Sequence, residues 1–207
     1  DDIHDLVKDI PGVYVRGEDG AGLRPNIGLR GAAADRSAKV TLMEDGVLLA
    51  PAPYSAPAAY YFPMTTRMVG LEVFKGAAAT RYGPNTVGGA INLLTRAIPK
   101  VRDLQLDFAV GMHESWKAHA WGGARAGWGG VVFDAVHVAS GGFKELGDGM
   151  NTGFGKTEVM VKARLNTPLA ASVVSAWELK GGFAHEDSRE TYLGLTDTDF
   201  EENPYQR

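Results

Sequence analysis

The chain has 207 residues, enough for one or two domains with a sizeable core. A formal net charge of −4 offers no basic footprint for nucleic acid, and the absence of cysteine excludes a disulfide scaffold or a thiolate metal centre. Its apolar runs are short and interrupted, so no transmembrane helix is predicted, whereas a transmembrane strand needs only about nine to eleven residues.

The opening residues read as a helix-like segment rather than a signal peptide, with Ile3, Leu6, Val7 and Ile10 on one face and Asp1 and Asp2 beside the positive N-terminus. Pro11-Gly12 stops this helix. Val13 and Val15 begin a short strand, and residues 17–25 read as a loop. A second strand is expected over Asn26 to Arg30, ended by Gly31. Lys39 to Leu49 reads as a hairpin around Glu44-Asp45-Gly46, because Asp-Gly between apolar β-formers is a strong hairpin signal. Ala50 to Pro63 carries four prolines and three tyrosines and is expected to be an ordered, aromatic loop. A strand over Leu71 to Phe74 breaks at Lys75-Gly76. An alanine-rich turn, Arg81-Tyr82-Gly83-Pro84 and a Gly88-Gly89 bend lead into another strand, Ala90 to Thr95.

After Pro99 the pattern changes to a period of two. Leu104, Leu106, Phe108, Val110 and Met112 alternate with Asp103, Gln105, Asp107, Ala109 and Gly111. Trp116, Ala118 and Ala120 alternate with Lys117, His119 and Trp121. Val159, Val161, Ala163 and Leu165 alternate with Glu158, Met160, Lys162 and Arg164. Such strands present one wholly apolar face to lipid or to a core. Alternation alone favours a soluble β-sandwich. Ala124 to Gly130 reads as a tight turn, and 141–155 and 187–207 as longer polar loops. About five strands are expected, fewer than the roughly eight of the smallest membrane barrels. Trp116, Trp121, Trp128 and Trp177 are candidate interfacial anchors or core residues.

Little in the chain points to catalysis or a resident metal. His113 and His119 are expected to be separated by a turn near Glu114-Ser115, and two histidines do not define a metal site. Glu44-Asp45 serves turn geometry rather than acid–base chemistry. No nucleophile elbow, phosphate loop or dinucleotide fingerprint is present. No catalytic residue, metal ligand or cofactor is therefore assigned.

Four segments in order carry a resemblance. They are Ile10-Pro11-Gly12-Val13, Ile27-Gly28-Leu29-Arg30-Gly31, Leu42-Met43-Glu44-Asp45-Gly46, and the run from Val69 to Pro99. Together they resemble the plug domain of TonB-dependent outer-membrane receptors. Arg81 to Pro84, Arg96 to Pro99, the loop Ala52 to Pro57, and the tail Leu193 to Asp197 with Phe200 to Arg207 are most similar to ferric citrate receptors. The fold this implies is an α+β plug domain followed by antiparallel strands of an incomplete transmembrane β-barrel. Residues 1–99 would be the plug, and 100–207 the first strands and loops of a barrel that has 22 strands in such receptors.

The resemblance implies function as well. The chain would be the N-terminal part of a transporter in the bacterial outer membrane, in contact with its lipid. It would import an iron chelate such as ferric citrate, with iron entering only as cargo. The chelate would bind between outward plug loops and barrel residues, and the TonB complex would pull on a segment upstream of Asp1. By motif order the outward loops are 16–25, 32–38 and 50–61. An anionic chelate favours Arg forks and hydroxyl donors, making Arg16, Arg24, Arg36, Tyr54, Ser55, Tyr60 and Tyr61 the candidate ligand-binding residues. Local pairing of these arginines with Glu18, Asp19 or Asp35 is the bland alternative. Arg30 and Lys75 match plug positions that pair with barrel glutamates in a plug–barrel latch. Arginine is usual at the second position, and lysine lacks its bidentate fork. A non-transporting binding or signalling receptor on the same scaffold is the alternative reading, with a soluble carbohydrate-binding β domain a distant third.

Overall fold

The computed structural model describes residues 3–17, 21–49, 61–83, 85–143, 151–167, 175–189 and 195–203. Two compact units meet in sequence between Thr95 and Arg96.

In the first unit, α1 (Ile3–Val7) leads into a two-stranded antiparallel ribbon of β1 (Val13–Gly17) and β2 (Pro25–Leu29). The helix is shorter than its ten-residue apolar pattern because Pro11-Gly12 turns the chain, with Ile10 N donating to Val7 O at 2.9 Å. Strands β3 (Val40–Glu44), β4 (Val47–Leu48), β5 (Met68–Lys75) and β6 (Gly89–Thr95) form a mixed sheet in the order β4-β3-β6-β5. The β3–β4 hairpin turns at Asp45-Gly46, with φ of 50° and 80°, the paired positive values of a type I′ turn. Between β5 and β6 the alanine-rich turn is a 3-10 helix, Gly76–Tyr82.

Ile3, Val7, Ile27, Leu29, Val40, Leu42, Phe62, Ile91 and Leu93 close one apolar core. It joins α1, β2, β3 and β6, so helical and strand periodicities both point into it. Two polar clusters fasten the sheet. The Asp45 carboxylate accepts from Thr95 N at 2.9 Å and Thr95 Oγ1 at 2.6 Å. Arg67 forks onto Glu44 at 2.9 and 2.6 Å, nearly out of solvent.

The second unit is one antiparallel meander, ordered β11-β10-β9-β8-β7. Its strands are β7 (Asp103–Val110), β8 (Trp116–Ala126), β9 (Gly129–Ser140), β10 (Phe154–Asn166) and β11 (Ala176–Ser188). Five strands were expected and five are present, in a sheet that does not close among the described residues. The turn read over 124–130 shrinks to Gly127-Trp128, since both flanking strands run on through the glycines. The register puts every predicted apolar alternation on one face. Leu106 lies opposite Ala120, Ala120 opposite Ala135, and Phe133 between Gly122 and Val161. That face is open, with Leu104, Leu106, Phe108, Val110, Leu179 and Phe183 all more than 60% exposed.

The opposite face carries buried charge. Lys156 Nζ lies 3.0 Å from Glu186 and 3.7 Å from Glu158, both cations and anions coming from the polar phase of β10 and β11. His119 Nε2 lies 2.9 Å from Asp134, which is fully buried. Trp121 also belongs to this face, under the Arg96 guanidinium at 3.8 Å. Its interfacial-anchor reading therefore fails, because the alternation places it opposite Trp116. Trp116, Trp128 and Trp177 remain exposed.

Residues 96–99, read from sequence with the first domain, pack on the second unit's sheet. Arg96 Nε approaches Asp134 at 3.7 Å, and Ile98 and Pro99 lie over Gly130 and Gly123. A Cβ at Gly123 would stand 2.7 Å from Pro99, and one at Gly130 2.8 Å from Ile98, so only glycine admits this strap.

Candidate functional site

The predicted site residues separate to the two ends of the β1–β2 ribbon. Arg16 is opposite Asn26 in the ladder, Arg24 immediately precedes Pro25, and Arg36 N donates to Asn26 Oδ1 at 2.5 Å. Arg16 in β1, Arg24 just before β2 and Arg36 in the following loop thus lie near one buried asparagine, by ladder register, chain adjacency and a backbone hydrogen bond in turn. Cross-strand neighbours stand about 5 Å apart at Cα, within easy reach of guanidinium side chains. Arg16 and Arg36 are exposed and form no ion pair among the described residues, so no described carboxylate, Asp35 included, neutralises either. Glu18 and Asp19 lie outside the described residues. Arg24 is half-buried, with Nη1 donating to Leu23 O at 3.2 Å.

The loop carrying Arg36 is tightly specified. Arg36 (φ 47°, ψ 26°) and Ser37 (φ 55°) are consecutive non-glycine residues in the left-handed region. Each costs on the order of 1–2 kcal/mol relative to ordinary backbone. Ser37 Oγ accepts from Ile27 N at 2.9 Å and donates to Pro25 O at 3.1 Å, while Tyr14 OH donates to Ala32 O. Asn26 and Ser37 are both fully buried polar residues whose hydrogen bonds join this loop to β2. Their role was missed from sequence. Asn26 was read only as the start of a strand, and Ser37 as one residue of the outward loop 32–38.

About 10 Å further along the ribbon, by strand rise, lies the other end. There Arg30, itself left-handed at φ 53°, donates its backbone N–H to Gly12 O at 2.8 Å. Its Nη1 reaches to 3.0 Å of where a Gly76 Cβ would stand, and Lys75 Nζ donates to Pro11 O. The two residues singled out for the latch thus converge on Pro11-Gly12, although forty-five positions separate them in sequence. Lys75 meets a backbone carbonyl of its own unit, and Arg30 forms no ion pair among the described residues.

Of the hydroxyl candidates, Tyr54, Ser55 and Tyr60 lie outside the described residues. Tyr61 is half-buried and its hydroxyl accepts from Arg67 Nη2 at 3.1 Å, which ties it to the Arg67–Glu44 pair. Sequence reading assigned Arg67 no role. Its partner lies twenty-three residues away, with nothing local to link them.

Chemically, the Asn26 end presents exposed guanidinium groups at Arg16 and Arg36, a donor type suited to holding an anion. Residues 1–90 match the TonB-dependent Receptor Plug Domain family. Among solved structures, the chain is similar to the unliganded ferric citrate transporter FecA at 22% identity and a TM-score of 0.69, over 98% of this chain and 31% of that one. It matches the copper transporter OprC equally at 22% and 0.69, over 91% of this chain and 28% of that one. The pyoverdine receptor FpvA of Pseudomonas aeruginosa PAO1, bound to pyoverdine, aligns at 16% and 0.62, over 87% and 25%. This chain therefore spans about a third or less of the length of these structures. Identities this low speak for the fold alone, and that fold is a plug followed by the opening strands of a barrel. Residues 1–90 are a TonB-dependent receptor plug domain, and the antiparallel strands that follow have the fold of the first barrel strands of such receptors.

Proposed function

We propose that this chain is the N-terminal part of a TonB-dependent outer-membrane transporter whose ligand is an anionic iron chelate of the ferric citrate kind. The observation that carries the reading is the gathering of Arg16, Arg24 and Arg36 around Asn26. Guanidinium forks bind carboxylate oxygens bidentately, and a citrate complex presents several. Tyr54, Ser55, Tyr60 and Tyr61 would add hydroxyl donors. Iron is cargo in this scheme, and no resident cofactor takes part.

The second unit supports the membrane half of the reading. One face of β7–β11 is open and mainly apolar, interrupted near the Trp116 end by the row His137, Thr157 and His185, and the other carries charge, as a wall between hydrocarbon and water requires. Trp116 sits toward one end of that apolar face, and Trp128 and Trp177 toward the other, as interfacial aromatics would. The tight turn Gly127-Trp128 then belongs to the periplasmic end, and the longer connection 141–153 to the external end.

Ligand captured at the Asn26 end favours whichever plug arrangement holds the arginines best, and that differential affinity shifts the plug's conformational equilibrium. TonB, contacting a segment upstream of this chain, would act on the shifted state. Arg30 and Lys75 at the Pro11-Gly12 end are proposed to pair with barrel glutamates.

The test is a titration of the full-length receptor in detergent, following tryptophan fluorescence. Ferric citrate is the probe, with iron-free citrate, an uncharged ferric hydroxamate and copper(II) as comparisons. Saturable binding of ferric citrate alone is expected, weakened about tenfold by Arg36→Ala, the loss of one charge-assisted contact. Folded receptor that ignores ferric citrate, or an Arg36→Ala variant that binds unchanged, overturns it.

A further inference from the structure

We propose that Asn26 and Ser37 are positioning residues for ligand capture, holding the Arg36 guanidinium toward an anionic ligand from a buried hydrogen-bonded clamp. This rests on the anionic-chelate reading and adds a specific division of labour to it. Three observations converge. Arg36 and Ser37 occupy consecutive left-handed positions, where glycine or asparagine would fold with less strain. Two fully buried polar side chains, Asn26 Oδ1 on Arg36 N and Ser37 Oγ between Ile27 N and Pro25 O, hold that geometry from both sides. The side chain they flank is exposed and forms no ion pair among the described residues.

A turn needed only to reverse the chain would not require this set. Glycine at either position meets the backbone demand without a clamp, and an arginine wanted only for solubility needs no fixed direction. Holding a flexible guanidinium by its backbone reduces the ordering that capture requires, which is the general basis of preorganised binding. Asn26 and Ser37 therefore act through Arg36 and touch no ligand themselves.

The experiment is a double-mutant cycle in the full-length receptor, with ferric citrate as the probe. Asn26→Ala and Ser37→Gly are each expected to weaken binding about three- to tenfold. In an Arg36→Ala background the same changes are expected to cost less than about 1.5-fold, because the group they position is gone. Ser37→Gly keeps the left-handed backbone accessible, so it removes the clamp oxygen while leaving the turn able to form. Thermal melts of each variant check that the plug stays folded. A clamp serving only plug folding would weaken binding equally in both backgrounds, and that additive result overturns the proposal. Wild-type receptor that is folded yet never binds ferric citrate fails differently, removing the anionic-chelate reading and this inference with it.

Discussion

In the first unit the apolar faces of β2, β3 and β6 turn inward on α1, and among the described residues the buried charge is the Arg67 guanidinium, forked onto Glu44. In the second unit the polarity is reversed. Leu106, Phe108, Leu179 and Phe183 stand in the open, while Lys156, Glu158, Asp134 and His119 are buried on the other face. Both units contain antiparallel strand pairs, although the first also has α1 and the parallel β3–β6 pair. What differs is the partner each face must satisfy, and that difference assigns the first unit to water and a self-made core. The second is assigned to a proposed lipid contact.

The comparison breaks most sharply at buried charge in the first unit. Arg67→Ala leaves the Glu44 carboxylate buried without its fork and should cost about 3–5 kcal/mol. Faster hydrogen exchange across β3 and β6 of the full-length receptor would register it. Unchanged protection would mean that the pair is dispensable to the sheet.

Next in size is a charge on the open face. Phe133→Arg should cost about 2–4 kcal/mol if that residue lies near the middle of the bilayer, and should reduce assembled receptor in outer membranes. Normal assembly would show that water, not lipid, covers the face. The neighbouring residue Asp134 points the other way, so Asp134→Asn should spare insertion while loosening the Arg96 and His119 contacts.

The smallest effect lies at the far end of the second unit. There α2 (Asp197–Glu202) is capped by reciprocal bonds between Thr196 and Asp199. Hydrogen bonds from Thr196 hold the Asp199 carboxyl below its usual range. A depressed folded-state value gives a contribution present above the ordinary carboxylate range and lost as pH falls from there through the lowered value. Acidification, or Thr196→Ala at neutral pH, should therefore speed exchange of the Phe200 and Asn203 amides, with no change expected in β7–β11.

Much of the fold was legible locally. The Asp45-Gly46 hairpin follows from two residues that tolerate positive φ, and the five-strand wall follows from a period-two alternation that survives pairing intact. Trp121 shows the limit of that reading. Residue type left it an anchor or a core residue, while its phase in the strand put it on the charged face under Arg96. The candidate site was half legible. Its arginines could be named from sequence, but not Asn26 and Ser37, whose buried hydrogen bonds tie the loop carrying Arg36 to β2.

The sequence by itself determined the order of most elements, the phase of β7, β8 and β10, and the kinds of side chain available to meet a ligand. These depend on backbone preferences and periodicity within a few residues. Only the tertiary structure decided that Arg16, Arg24 and Arg36 gather at Asn26 while Arg30 and Lys75 gather at Pro11-Gly12. It alone paired Glu44 with Arg67 and Asp45 with Thr95. Such contacts join positions ten to sixty-four residues apart, and their partners are chosen by ladder register and shared burial, which no local pattern encodes.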